Sequence, residues 1–472
     1  MPEAHARSPK RLVMLIVACA LFMENLDSTI LATALPAIAR SLHENPLRLS
    51  LAISGYLLSL AIFIPLSGWV ADRHGARRVF RAAIILFTLG SVLCGLAQTT
   101  PQLVAARVLQ GVGGAMMVPV GRLVALRRVP KYEMVSAMAW ITIPALIAPI
   151  VAPLIGGLIV TYSSWRWIFL INVPIGILGF WLATRYITEQ EPGEIRPMDF
   201  RGWVILSIGL SSLVFGAELL GKDLLSGGAI SALMVLGVVA LGLYARHARR
   251  QEHPVLQLSL LRLPTFHGAV VGGALFRIGA GASSFLLPLM LQVGFGLTAA
   301  ASGALTFTGA IGAVMVRARA AQIVRHIGFR RVLLMDVLFG SLLLVLCGLL
   351  TAGTPRLLML LLFTCIGISR SILFTSVNTM AYADVGERDM SYATSFAGTA
   401  QQLAMTLGVA VAAQVLHLAA LAHGSDLPGA GDFPIAFFVI AGISMTSLWV
   451  YWRLPPDAGS SVSGYTSRPA GP

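Results

Sequence analysis

Charge is what this chain has least of. Of its 472 residues only 11% are Asp, Glu, Lys or Arg, while 57% are hydrophobic; soluble domains average roughly a quarter charged and half apolar. With a mean hydropathy of +0.82, water cannot be the main solvent of its surface. Cysteine is also scarce: Cys19, Cys94, Cys347 and Cys365 each stand alone in an apolar run, which excludes a disulfide framework and a thiolate metal site and leaves them as packing residues. No Gly-rich loop ending in Gly-Lys-Ser/Thr is present to cradle nucleotide phosphates. The histidines, among them His43, His247, His253 and His267, are scattered and mostly near loops. Neither a metal, a cofactor, ATP nor enzymatic catalysis is expected.

Long apolar runs stand where charge is missing. A helix needs about 20 residues to cross a roughly 30 Å hydrocarbon core, and a backbone in lipid must satisfy its own hydrogen bonds, which runs of this length do as helices. Read between charged or Pro/Gly-bearing breaks, the expected spans are 12–34, 47–71, 79–97, 102–121, 134–160, 168–187, 203–220, 228–245, 266–291, 299–316, 332–350, 357–383, 392–421 and 433–453. The expected fold class is an all-α polytopic membrane protein with 14 transmembrane helices. Ala37-Ile38-Ala39 imitates a leader cleavage site, but the run before it is too long for a leader and contains Glu24 and Asp27, so it reads as an uncleaved first helix.

Basic residues supply an independent check, since Lys and Arg gather in every second loop when spans are counted correctly. With both termini cytoplasmic, Arg40, Arg48, Arg166, Lys222 and Arg356 fall outside and Arg107, Arg277 and Arg370 within spans, leaving the other 26 of 34 inside. The net charge of +14 is thus spread over short loops. Its expected partner is the anionic inner leaflet of the lipid bilayer rather than nucleic acid.

One of those loops is Gly68-Trp69-Val70-Ala71-Asp72-Arg73-His74-Gly75-Ala76-Arg77-Arg78-Val79, and Gly328-Phe329-Arg330-Arg331-Val332 echoes it half a chain later. Gly75 permits a tight bend, and Asp72 can pair with Arg73, Arg77 or Arg78 or meet a helix end. A glycine-bent basic turn once per half resembles the cytoplasmic loops of the major facilitator superfamily of secondary transporters. Because the turns follow spans two and ten, the fourteen spans resemble its fourteen-span drug/proton antiporters. That resemblance implies a major facilitator fold of two six-helix bundles, 1–187 and 265–454, and a segment 188–264 with two inserted transmembrane helices. Arg185 to Arg201, with Glu189, Glu191, Glu194 and Pro197, would be the link into that pair, and 455–472 a disordered tail. It further implies a bacterial cytoplasmic membrane, a small-molecule substrate between the bundles near the midplane and protons as the coupling ion.

Glu24 and Asp27 lie three residues apart on one face of the first span, where an ionisable group costs about 2.5–3.5 kcal/mol on insertion scales and normally faces a cavity or partner. Desolvation favours the neutral form of a carboxyl, so either acid is a candidate proton carrier; the plain alternative is a structural pair lining a polar seam. Leu26-Asp27-Ser28-Thr29-Ile30 and the residues to Pro36 resemble the first-helix motif of the antiporters. Arg107, in Arg107-Val108-Leu109-Gln110-Gly111, matches the family's arginine before Gln-Gly and needs an acid, Asp27 or Glu24, whether as a switch or as an architectural ion pair. Pro149, Pro153, Gly156 and Gly157 resemble the antiporter motif of the fifth span; Ala148 and Ala152 replace two favoured glycines, for which looser packing is expected. Trp165 to Pro174 resembles the family's entry into the sixth span and reads as interfacial anchoring.

In the second half, Arg277 and Arg370 lie inside the first and fourth helices of their bundle. With Asn378 and Gln401 they form the candidate substrate-binding set, suited to carboxylate or phosphate groups; the alternative is pairing with Gln401, Gln402, Asn378 or Asp336. Glu218, near the outer end of the inserted pair, reads as peripheral. The expected function is proton-coupled export of drugs or amphiphilic compounds, with export of anionic metabolites or metal chelates through Arg277 and Arg370 as the alternative. A receptor that kept the bundle without transport is a third reading, disfavoured because tails and loops are short.

Overall fold

The computed structural model describes residues 7–126, 134–188, 197–220, 225–386, 389–425 and 427–463, and among them no strand occurs. Their long helices are α1 (Arg7–Leu42), α2 (Ser50–His74), α3 (Ala76–Leu96), α4 (Thr100–Leu126), α5 (Met134–Tyr162), α6 (Trp167–Tyr186), α7 (Phe200–Leu219), α8 (Gly227–Ala248), α9 (Pro264–Gly294), α10 (Ala299–Ile327), α11 (Phe329–Gly348), α12 (Arg356–Met380), α13 (Met390–Ala422) and α14 (Phe433–Trp452). Thirteen are long and apolar enough to cross a membrane. The other, α5, is 29 residues long and holds Pro144, Pro149 and Pro153.

Helix ends overrun expectation most at α10, which continues to Ile327, and next at α1, which runs on through Pro36 to Leu42: a proline removes one ladder hydrogen bond but does not stop a helix whose next residues, Ala37-Ile38-Ala39, favour it. In α9 two turns widen to the i→i+5 pattern, at Gly268–Gly272 and Met290–Gly294. Glu189, Glu191, Glu194 and Lys222 lie outside the described residues.

The chain forms two compact units. The first comprises residues up to Met198 together with Thr298–Gly303. In it α4 lies against both α2 and α3, and α5 runs along α1. These are crossings that glycine permits: a Cβ at Gly90 would stand 2.7 Å from Gln110 Cα, and one at Gly111 2.7 Å from the Tyr56 carbonyl oxygen. The backbones therefore approach closely enough for polar side chains of α3 and α4 to meet inside the unit.

The second unit holds the remaining residues, including α7 and α8, which pair with each other, α7 docking on α13. Asp199 caps α7, accepting from the Gly202 amide at 2.8 Å, and lies 2.8 Å from His247 Nε2 at the end of α8. Glu218, read as peripheral, is fully buried.

The basic turn joins α2 to α3 at Gly75, with φ 87° and ψ 127°; Gly328, between α10 and α11, repeats it at φ 86° and ψ 152°. Both sit in a region that side chains avoid, so Gly75→Ala is expected to cost about 1–3 kcal/mol through backbone strain. Thermal unfolding in detergent checks this; no loss would mean that the turn relaxes. Residues 455–463 of the expected disordered tail take defined turns and a short helix, Ser460–Ser463, because Gly459 at φ 70° lets the chain lie over the Phe329 ring. Residues 464–472 lie outside the described residues.

Candidate functional site

The first unit encloses a polar network on α1, α3, α4 and α6. Asp27, Arg107, Gln110, Asn172 and Ser91 are all completely buried. Arg107 donates through Nη1 to Asp27 Oδ2 at 2.5 Å and to Gln110 Oε1 at 2.7 Å. Asp27 Oδ1 accepts from Gln110 Nε2 at 2.9 Å and from Asn172 Nδ2 at 3.0 Å. Both amides also donate to Ser91 Oγ, at 2.7 and 3.1 Å. The guanidinium stacks 4.1 Å from the Tyr56 ring centroid, and the Tyr56 hydroxyl donates to Glu24 at 3.4 Å.

Such burial is tolerable because the charges cancel and both carboxylate oxygens find donors, although Arg107 Nη2 and Asn172 Oδ1 have no partner; an ion pair without those amides would not recover its desolvation cost. Arg107 and two amides converge on the one carboxylate, so α1, α4 and α6 share it as a common anchor.

Of the two candidate acids, Asp27 takes Arg107, while Glu24 retains 8% exposure and meets Tyr56. Asn172 belongs to a stretch expected only to anchor the chain at the interface. Instead its side chain reaches Asp27, because α6 begins on the inside of the unit with Phe169 and Asn172 both buried. Ser91 and Tyr56 carried no motif, and only their contacts reveal them.

A family model described as Major Facilitator Superfamily matches residues 17–409. The chain belongs to the major facilitator superfamily. It is 38% identical over 453 residues to a "Putative multidrug resistance protein MdtD" of Cronobacter sakazakii, with 95% of each chain covered. The protein of the same name from Escherichia coli O17:K52:H18 is also 38% identical, over 452 residues and 95% of each chain. Among solved structures, a peptide transporter bound to sulfate superposes with a TM-score of 0.71 at 14% identity, covering 96% of each chain. A bacterial homologue of the human lysosomal transporter Spinster gives 0.68 at 12%, covering 98% of this chain and 99% of its own. At those identities the likeness concerns the fold. This facilitator is thus a multi-pass membrane transporter and not an enzyme.

In the basic turn of this facilitator, Arg77 donates to the Thr184 carbonyl at the end of α6, at 2.5 Å, and Arg73 lies over Trp69 at 5.1 Å. Arg78 is exposed and Asp72 half-buried, and a methyl at Gly68 would meet nothing within 4 Å. Along α5, Gly156 meets Ile30 of α1, with 2.5 Å left for a Cβ, and Gly157 meets the Ala299 backbone. Pro153 presents its carbonyl to Gly303, and Pro149 is half-buried. Ala148 and Ala152, in the places of the missing glycines, are fully buried.

In the second unit Arg277 donates to Asn378 Oδ1 at 2.7 Å, and Arg370 to Ser284 Oγ at 3.2 Å. Both guanidiniums flank Phe374, at 5.3 and 5.6 Å. Asn378 is thus brought to Arg277, as one alternative expected. Gln401 is half-buried on α13 and bonds to neither arginine among the described residues.

Proposed function

We propose that this facilitator is a proton-coupled antiporter that exports drugs or other amphiphilic small molecules across the bacterial cytoplasmic membrane by alternating access, with both termini on the inner side. The observation that carries this reading is the buried Asp27–Arg107 pair with Gln110 and Asn172 on the same carboxylate. A structural ion pair would need no neighbouring acid. Here Glu24 stands one turn away, linked through Tyr56 to the face of Arg107, so a proton arriving at Glu24 lies next to the group whose charge holds the helices together. The multidrug resistance name of the relatives fits the same reading.

The test is efflux from proteoliposomes holding a fluorescent lipophilic cation, with and without an imposed pH gradient. Gradient-dependent movement that a protonophore abolishes is expected. Equal rates with and without the gradient would remove proton coupling.

A further inference from the structure

The second unit contains a buried guanidinium, Arg277, and a half-buried one, Arg370, and among the described residues no carboxylate pairs with either. This contrasts with Arg107, whose charge Asp27 cancels. Asp336, the nearby acid on α11, is buried too, but its hydrogen bond is with Ser369 and its Oδ2 has no partner. A guanidinium without a carboxylate partner inside a membrane-spanning bundle is costly to retain, and such groups commonly mark a substrate or ion pathway.

Arg370 lines a cavity among α9, α11, α12 and α14 with an empty volume of ≈ 420 Å³, counted with the open space at its mouth. Small-molecule sites are mostly apolar with a few placed polar groups. The walls are largely apolar, with Phe276, Leu344 and Ile366 among them. Against this background Ser341 and Ser444, 4% and 3% exposed, also line the cavity with hydroxyls that have no hydrogen-bond partner. Buried hydroxyls left unpaired beside a guanidinium form a donor set, and donors together with a positive charge select an anion.

We infer that this cavity binds a small organic carboxylate, its anionic group on Arg370, Ser341 and Ser444 and its apolar body against Phe276, Leu344 and Ile366. As a cargo site it rests on the export reading; as a binding site it does not, since occupancy requires no gradient.

The experiment is thermal unfolding of the purified full chain in an uncharged detergent, titrated with benzoate and, separately, with the isosteric benzamide. Benzoate is expected to raise the midpoint saturably and benzamide not. In Arg370→Gln the benzoate affinity is expected to fall about 10–100-fold, the loss of a charge-assisted contact. The double variant Ser341→Ala/Ser444→Ala, which removes only two hydroxyls, is expected to weaken benzoate severalfold while unfolding normally without ligand, and it decides the matter if Arg370→Gln does not fold. Equal stabilisation by benzamide, or undiminished benzoate affinity in either variant, overturns the site. Benzoate that binds but is not carried by a protein that exports dyes overturns its role as a cargo site; a protein that binds it and moves nothing overturns the export reading instead.

Discussion

Asp27→Asn is expected to abolish gradient-driven efflux and to destabilise the folded protein at the same time. The amide keeps an oxygen to accept from Gln110 and Asn172, which hold Oδ1 at 2.9 and 3.0 Å, so the cavity around it stays filled. What disappears is the counter-charge of Arg107, completely buried and bonded to Oδ2. Breaking a buried pair from one side costs about 3–5 kcal/mol, because the remaining charge is left unpaired in a low dielectric. Removing both charges, as in Asp27→Asn/Arg107→Gln, is expected to restore most of that stability and none of the transport. Thermal unfolding and proteoliposome efflux, measured on both variants, separate the two roles. Undiminished gradient-driven efflux by Asp27→Asn would end its candidacy as the coupling acid, and a double variant no more stable than the single one would show that the pair's worth is not its charge.

Gly367→Ala has the second largest expected effect. On α12 this glycine faces Gly309 of α10 so closely that a Cβ would overlap the Gly309 carbonyl oxygen and stand 2.9 Å from its Cα. No rotamer change relieves a clash with backbone; the helices themselves must separate. The loss is expected to exceed the roughly 1–3 kcal/mol of ordinary overpacking, with a marked fall in unfolding temperature and yield. Gly442→Ala is the matched control: on α14 its Cβ would meet nothing within 4 Å, and an alanine in a helix interior gains up to about 1 kcal/mol over glycine. Similar behaviour of the two variants would mean that the α10–α12 crossing is looser than its geometry.

The span pattern was legible in the sequence because hydropathy and Lys/Arg alternation report lipid and water directly. Even α5, with three prolines, falls where its apolar run placed it. The same signals are blind to rotation about a helix axis. Asn172 sits beside tryptophans and read as interfacial, yet it completes the carboxylate's shell from α6. Glu218 read as peripheral and is buried, since nothing in a local window says which face of an all-apolar helix meets protein. Asp27 and Arg107 were visible because charge in an apolar run is conspicuous, whereas Ser91 and Tyr56 are ordinary residues in such runs. That Arg107 chooses Asp27 over Glu24 follows from the crossing of α1 and α4, which no spacing rule encodes.

The two glycine-bent turns share a backbone conformation to within a degree in φ, while their surroundings have parted: Arg77 holds the Thr184 carbonyl, whereas Arg330, at the same place after Gly328, lies over Trp452 at 5.7 Å. Three residues before the glycine, the first turn has Asp72 and the second Arg325. An ancestral half-length gene that doubled would leave this signature, with the main-chain bend inherited intact and the side chains free to specialise. One copy kept mixed charge, whereas the other became wholly cationic, so the descendants of one hinge no longer answer to the same electrostatic cue.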